Sequence, residues 1–450
     1  MSAADGPRDG DAPIAVADED WSTKRVTPLG RLVPAIALSA FGFFVAINTP
    51  MQLLLTLRLI DIADGADATT AFGLVTGFGA LVALVFNPIA GRISDRTMWR
   101  LGRRRTWILA GALSGAVVLV ALSYATAVWQ VVALWCLLQA TLNLQYAATN
   151  ALIADQVPPH RRGGVSGLGG VAVAIGPLFG IALVSTAPAG GPLQWQLIAV
   201  VLVVTAVIAA LLVRDTRAAV AATAGRGGVR GLLSMFWIDP RVHPAFGWAW
   251  LVRFLITSAY AATTYNTFFL IQHFAVPAEE VGGLVLSMSA ITVGLLVVSS
   301  LGAGLLSDRL RRQKPFVVAG GLLAAAGLLM LAFAPTLAWV YASSAVMGLG
   351  VGTFFAVDQA LCVRVLPSAA DVGKDFAIIN IANSLPQSLV PLVAPLLLAI
   401  GGYGALFGAL ALFGLLGAVA VLRVPEIGQE HSDSPRIAPI TRAVRIPGAR

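Results

Sequence analysis

The chain has 450 residues, of which 58% are hydrophobic and 12% charged, and its formal net charge is +8. A soluble domain is about half apolar and about a quarter charged, so this composition excludes an ordinary soluble protein. Most of the positive charge is arginine in short segments between long apolar runs, which argues for membrane topology and against a nucleic-acid-binding face.

Residues 1–28 precede the first apolar run and are acidic, with Asp18, Glu19 and Asp20 in succession. A secretory signal begins with positive charge and a short apolar core, which this segment lacks. We therefore predict a disordered cytoplasmic tail and no cleaved signal peptide.

The apolar runs predict twelve membrane-spanning helices, because about 20 apolar residues cross the hydrocarbon core as a helix. The predicted helices lie at 32–59, 71–93, 106–126, 128–155, 164–187, 194–213, 246–273, 281–306, 315–334, 337–365, 373–400 and 402–423. The connections at one end, 60–70, 188–193, 275–280 and 401–403, contain no Lys or Arg. The opposite connections carry the arginines, which predicts a cytoplasmic membrane protein with both termini in the cytoplasm.

The two halves of the chain resemble each other. GRISDR at 91–96 recurs as GLLSDR at 304–309, and ALIADQVP at 151–158 aligns with ALCVRVLP at 360–367. A parallel repeat of six helices is typical of major facilitator transporters. We therefore predict an all-α membrane protein with two pseudo-symmetric six-helix bundles. Their predicted limits are 29–213 and 246–424, with a cytoplasmic linker at 214–245 and a basic tail at 425–450.

The string GRISDRTMWRLGRRRTWI at 91–108 places Asp95 beside a cluster of guanidinium groups. Ion pairs there would hold one of two states of similar free energy and release in the other, as a gate requires. The alternative is that the arginines only fix topology, which does not need the acid. The predicted gating residues are Gly91, Asp95, Arg96, Arg104, Arg105, Gly304, Asp308 and Arg309.

The same string resembles the loop motif of the glycoside–pentoside–hexuronide cation symporters, especially their sucrose-transporter-like branch. The residues that fit are Gly91, Ser94, Asp95, Arg96, Arg100, Gly102, Arg103, Arg104, Arg105 and Ile108. Asp155 at the end of helix 4 and the spacing of Asn380, Pro386 and Gln387 are also similar to that branch. The resemblance implies the major facilitator fold and a cation-coupled carrier of a sugar or a related solute.

Two stretches depart from that branch. Asn150 stands where the branch has an arginine, and GPLFG at 176–180 places Pro177 where the branch has a polar residue. A Gly-Pro pair in helix 5 is similar to the motif of drug–proton antiporters. The solute and the direction of transport therefore stay open.

Polar residues inside four predicted helices follow the spacing of one helical face. They are Asn48 and Gln52; Gln139, Asn143, Tyr146 and Asn150; Arg253 and Tyr260, with Thr257 and Thr264; and Asn380, Asn383 and Gln387. In a membrane such a face must meet protein or water. We predict that these faces line a solute cavity; the alternative is hydrogen bonding between helices without a ligand.

Arg253 and Asp358 should both lie in the cytoplasmic third of their helices. An unpaired charge at that depth costs roughly 2.5 kcal/mol or more, so we predict an ion pair between them. A protonatable Asp358 beside a movable Arg253 would couple proton entry to solute binding; the alternative is a static structural pair. Asp155 is the rival proton carrier, or else a partner of the arginine gate.

These features predict a proton-coupled importer of a small polar solute. The alternatives are a proton-driven exporter of a hydrophobic compound and a receptor of the same fold that no longer transports. No nucleotide-binding loop, metal cluster or nucleophile–base set is recognisable, so we expect no enzyme, cofactor or metal. Cys136 and Cys362 fall in apolar runs and are interpreted as core residues. A proton is favoured over sodium because the helices hold few acids, and we expect a monomer.

Overall fold

The computed structural model describes residues 27–63, 65–97, 99, 101–215, 242–365 and 372–424, and the regular elements in these ranges are all helices. Arg100, most of the predicted linker at 214–245, almost all of the predicted N-terminal tail and the basic C-terminal tail lie outside the described residues.

Six helices form the first half of the chain. They are α1 (Leu29–Ile62), α2 (Gly65–Arg96), α3 (Arg103–Leu122), α4 (Val128–Gln156), α5 (Pro159–Val184) and α6 (Pro192–Leu212). Each is long and apolar enough to cross a bilayer.

Six helices also form the second half. Helix α7 comprises Pro244–Ala261, the 3-10 turn Ala262–Tyr265 and Asn266–Phe274, followed by α8 (Ala278–Leu310), α9 (Lys314–Ala332) and α10 (Leu337–Arg364). The continuous segment Val372–Ala420 has non-helical dihedral angles at Gly401 and Gly402, which divide it into α11 (372–400) and α12 (403–420). The predicted all-α fold of twelve helices in two groups of six is confirmed.

Two of the predicted connections are partly or largely helical instead. Helix α1 continues to Ile62 and α2 begins at Gly65, so most of 60–70 is helix, and α8 begins at Ala278 within the predicted connection 275–280. Asp67 lies in the first turn of α2, and Glu279 and Glu280 lie in the first turn of α8. Negative charge there is favourable because the helix N-terminus carries a partial positive charge.

Helices α1 and α7 both change pitch near the middle. Helix α1 contains a π segment at Pro50–Leu54, and α7 contains the 3-10 turn at Ala262–Tyr265. Pro50 and Ala262 lie 212 positions apart. This offset matches the spacing of the sequence repeat, so the two irregular segments occupy equivalent places in the two halves. Such departures from α geometry are frequent at functional sites and hinges.

Internal packing divides the chain into two compact units. Within the described residues, the first unit comprises 27–215, Thr263–Ala290 and Gln387–Tyr403, and the second comprises 242–262, Ile291–Pro386 and Gly404–424. Helices α7, α8 and α11 each begin in one unit and end in the other. The predicted domain limits at 29–213 and 246–424 follow the sequence repeat and stay a prediction.

The first unit buries polar side chains and exposes apolar ones. Ser39, Gln145 and Thr149 are buried between α1 and α4, where Ser39 Oγ lies 2.7 Å from Thr149 Oγ1. Val117 and Leu211 point outward with 69% and 71% of their surface exposed. This distribution is expected of helices whose outer faces meet lipid.

Candidate functional site

The predicted arginine gate forms an ion-pair network in the first unit. Arg104, only 4% exposed, reaches Asp95 Oδ1 at 2.7 Å through Nη2 and Asp155 Oδ2 at 2.8 Å through Nε. Its Nη1 also donates to Ser94 Oγ at 2.8 Å, and Arg103 pairs with Asp155 Oδ2 at 2.7 Å. One buried guanidinium therefore joins the end of α2, the start of α3 and the end of α4.

The start of α3 is capped by an acid from beyond α6. Asp215 Oδ2 accepts hydrogen bonds from the backbone N–H groups of Arg104 and Arg105, the latter at 3.2 Å. The first N–H groups of a helix have no partner within the helix, and a carboxylate there satisfies them and complements the helix dipole. Asp215 thus fixes the helix end that presents the arginines.

The chain ahead of α1 is tied to the same place. The Thr27 backbone N–H donates to Gln156 Oε1 at 3.1 Å. Its hydroxyl donates to the Arg214 carbonyl and accepts from the Arg214 N–H, both at 2.9 Å. Thr27 is fully buried, so this contact holds the entry to α1 against the ends of α4 and α6.

The second copy of the motif is arranged differently. Ser307 is buried like Ser94, but its hydroxyl donates to the Arg312 carbonyl at 3.0 Å. Asp308 and Arg309 are exposed, and neither forms an ion pair with another described side chain. A Cβ added at Gly91 or Gly304 would meet nothing within 4 Å. The gating roles of these residues, and of the exposed Arg96, stay predictions.

Arg253 and Asp358 form the predicted ion pair in the second unit. Arg253 Nη1 lies 2.8 Å from Asp358 Oδ2, and their side chains are 10% and 2% exposed. The Cys362 thiol completes the cluster, 3.8 Å from Asp358 Oδ1 and 3.8 Å from Arg253 Nη1. Cys362 lies one turn after Asp358 on α10, so both face α7.

Two side chains of α7 fasten this cluster to α11. Trp250 Nε1 donates to the Ile378 carbonyl at 2.9 Å, and Thr257 Oγ1 donates to the Ala382 carbonyl at 3.0 Å. Trp250 and Thr257 flank Arg253 by about one turn on either side. Arg253 therefore lies on a short stretch of α7 that is hydrogen-bonded to α11 on both sides of the arginine.

The predicted polar faces of α1 and α4 differ in their surroundings. Asn48 and Gln52 are partly exposed, and Gln52 lies in the π segment. Gln139 and Asn143 are buried, and Asn143 Nδ2 donates to the Gln139 carbonyl at 2.7 Å. One of the two N–H groups of the Asn143 amide is therefore engaged within its own helix, and solute contact by Gln139 and Asn143 stays a prediction.

The other residues of the α4 face vary as well. Tyr146 stacks on Phe43 of α1 with ring centroids 4.3 Å apart, and Asn150 is exposed. Tyr146 therefore contributes to packing between α1 and α4.

The predicted polar residues on α7 and α11 also differ in their contacts and in their exposure. The Tyr260 hydroxyl lies 3.4 Å from the Gly320 carbonyl of α9, and its ring meets Phe354 of α10. Asn380 and Gln387 are exposed, and Asn383 is partly exposed. Solute contact by these four residues stays a prediction.

Sequence reasoning missed several members of these clusters. Asp215 and Thr27 act across separations of 111 and 187 residues, which no local pattern reveals. Cys362 carried a signal, since it follows Asp358 by four positions on one helix face. A lone acid in the arginine-rich segment VRDTR was a similar signal for Asp215.

Twelve apolar helices with buried ion pairs among them define a multi-pass membrane protein. The sequence matches the model of the Major Facilitator Superfamily over residues 32–300 and 278–447, and the chain belongs to that family. No curated protein matches the sequence.

Solved transporters share the fold at low identity. The nucleoside transporter NupG has a TM-score of 0.70 and 13% identity, with 87% of this chain and 99% of that chain covered. The peptide transporter POT has a TM-score of 0.67 and 13% identity, with 88% of this chain and 95% of that chain covered. A D-xylose–proton symporter has a TM-score of 0.65 and 16% identity, with 88% of this chain and 97% of that chain covered. The chain thus shares the fold of these three transporters.

Proposed function

We propose that this transporter carries a small polar solute by alternating access and couples its movement to protons. The observation that carries the proposal is the Arg253–Asp358 pair, a carboxylate and a guanidinium 2.8 Å apart inside membrane-spanning helices. Ionisable groups in such helices are costly and usually serve a transport pathway. A proton is the coupling ion that one carboxylate can bind without further oxygen ligands.

Protonation of Asp358 would change the state of Arg253. In the ion pair the charges of Arg253 and Asp358 offset each other, and the Cys362 thiol is the other polar group in contact with the Asp358 carboxylate. A proton on Asp358 removes the negative charge and leaves Arg253 in need of a new acceptor. A polar or anionic solute can then occupy the guanidinium, so proton and solute bind together.

Asp155 differs from Asp358 in ways that support a gating role. Its carboxylate forms ion pairs with both Arg103 and Arg104, and its side chain is 30% exposed. Pairing with two arginines ties the end of α4 to the start of α3, which suits a lock better than a proton carrier. We assign Asp95, Asp155 and Arg104 to the gate, at the end of the protein that we place in the cytoplasm on the basis of its arginines.

The class of solute is proposed from the chemistry of the helices and from the similar structures. Asn48, Gln52 and Asn383 offer amide groups that are partly exposed on α1 and α11. The similar solved proteins are named as nucleoside, peptide and D-xylose transporters. The resemblance of residues 91–108 to the glycoside–pentoside–hexuronide symporters points to a sugar among these polar solutes.

Uptake into proteoliposomes tests the proposal. Labelled sucrose, D-xylose, uridine and alanyl-alanine are offered with and without an inward proton gradient. We expect one of them to accumulate with the gradient, and Asp358→Asn to abolish accumulation while solute exchange without a gradient persists. Asp61→Asn, at an exposed acid of α1, is the matched control. Equal accumulation by Asp358→Asn and the wild type would contradict the assignment of Asp358.

An exporter of a hydrophobic compound is the second candidate, and the Gly176–Pro177 pair, which is similar to the motif of drug–proton antiporters, favours it. The GPLFG segment of α5 lies directly against α1, since a Cβ on Gly180 would overlap Thr49 Oγ1 and one on Gly176 would fall 3.2 Å from the Phe44 Cβ. If cells expressing the protein resist a hydrophobic toxin and none of the four solutes accumulates, the exporter replaces the importer. Loss of that resistance in Gly180→Leu would connect it to this contact.

A further inference from the structure

The arginine-rich end of the first unit carries more positive charge than its own acids neutralise. Asp95 and Asp155 are paired with Arg103 and Arg104, and Asp215 accepts two N–H groups of α3. A set of four arginines borders this network without forming an ion pair to any carboxylate in the described parts of the chain. We call it the arginine surface: Arg31, Arg96, Arg105 and Arg214.

Each member adjoins a residue of the network. Arg31 lies in the first turn of α1, where its N–H donates to the Pro28 carbonyl next to Thr27. Arg96 follows Asp95, Arg105 follows Arg104, and Arg214 precedes Asp215. Arg31, Arg96 and Arg214 are exposed, and Arg105 has a buried Nε with no hydrogen-bond acceptor among the described residues.

The chain itself supplies a complementary segment. Asp18, Glu19 and Asp20 are consecutive acids that precede Thr27 by only seven to nine positions. Thr27 is pinned to Gln156 and to the backbone of Arg214, so the segment starts from the arginine surface. Seven residues span at most about 25 Å, which covers the neighbourhood of the network.

From these observations we propose that Asp18, Glu19 and Asp20 dock on the arginine surface and act as an internal acidic arm. A short tether raises the effective concentration of the arm to the millimolar range, so weak charge-assisted contacts suffice. The negative leaflet of a cytoplasmic membrane repels acidic residues, which directs the arm toward protein arginines and away from lipid headgroups. This proposal is independent of the solute and of proton coupling.

Distances between spin labels test the docking in the full-length protein. Labels are placed at Ala17→Cys and at Leu101→Cys, an exposed position in the loop between α2 and α3, in a chain lacking Cys136 and Cys362. In phosphatidylcholine nanodiscs we expect a short, narrow distance distribution. It should become long and broad in the variant Asp18→Asn, Glu19→Gln, Asp20→Asn, and in about 1 M salt, where charges are screened beyond ~3 Å.

Matched variants distinguish docking of the arm from a general effect of negative charge in the tail. Neutralising Asp5, Asp9 and Asp11 removes the same number of charges farther from Thr27 and should leave the distances unchanged. The double variant Arg105→Gln, Arg214→Gln should release the arm as salt does. Distances in the wild type that equal those of the neutralised arm would overturn the proposal. Release on adding phosphatidylglycerol would also overturn it, because anionic headgroups would then be the occupant of the surface.

Discussion

The carboxylate of Asp215 occupies the space that a side chain on residue 102 would need. A Cβ built on Gly102 would fall 2.6 Å from the Asp215 Cβ and 2.7 Å from its Oδ2. Gly102 also has φ 101° and ψ 161°, a backbone conformation that is essentially restricted to glycine. The glycine therefore allows an acid beyond α6 to reach the first N–H groups of α3.

Gly102→Ala should destabilise the protein by about 1–3 kcal/mol, the usual cost of forcing a side chain into such a conformation. Thermal unfolding in detergent measures the loss. Gly163→Ala is the matched control, because a Cβ there meets nothing within 4 Å and alanine favours helix. An unchanged melting temperature in Gly102→Ala would show that the loop relaxes without cost.

The two acids that pair with Arg104 should contribute different amounts to the free energy of unfolding. Asp95 is 49% exposed and has one arginine partner, so Asp95→Asn should cost less than about 1 kcal/mol. Asp155 is 30% exposed and accepts from Arg103 and Arg104, so Asp155→Asn should cost about 1–3 kcal/mol. Unfolding of both variants and of Arg104→Gln ranks the contacts. A larger loss in Asp95→Asn would contradict this order.

The pair in the second unit should show strong coupling. Arg253→Ala leaves a carboxylate that is 2% exposed without its cation, and breaking such a buried pair costs about 3–5 kcal/mol. Combining Arg253→Ala with Asp358→Ala removes both charges and should recover part of the loss. Stability of the single and double variants gives the coupling energy. Strictly additive losses would mean that the two charges do not interact in the folded protein.

The parts of the fold that depend on local pattern were predictable from the sequence. The lengths of the apolar runs predicted the positions of the helices. The arginine content of the connections predicted which connections lie at the same end of the helices. Arg253 and Asp358 were paired by reasoning that neither charge is tolerated alone at its depth. The observed 2.8 Å contact confirms that pair.

The other features of the fold and of the candidate site depend on contacts between residues that are far apart in the sequence. The π segment begins at Pro50, whose missing N–H interrupts the helical hydrogen bonds, and the 3-10 turn Ala262–Tyr265 reads ATTY. Neither signal sets the pitch by itself, because Pro34, Pro88 and Pro177 lie inside regular α-helices. Thr27 meets Gln156 across 129 residues. The Asn143 amide donates to the Gln139 carbonyl of the same helix, a contact that its spacing on α4 did not indicate.

The arginine-poor end of the first unit is closed by contacts that should yield to a bulky residue. Thr267 of α7 donates to the Gln52 carbonyl, and a Cβ on Gly77 of α2 would overlap the Leu392 side chain of α11. Gly77→Leu should therefore separate α2 from α11 and expose the neighbourhood of Thr267, which is 1% exposed.

Labelling of Thr267→Cys by a hydrophilic maleimide, in a chain without Cys136 and Cys362, measures this opening. We expect slow labelling of Thr267→Cys alone and faster labelling when Gly77→Leu is added, because a leucine at this position would compete with the Leu392 side chain for the space between α2 and α11. Gly283→Leu is the matched control, since a Cβ at Gly283 meets nothing within 4 Å. Equal rates in Gly77→Leu and Gly283→Leu, with both proteins folded, would show that the approach of α2 to α11 does not keep this end closed.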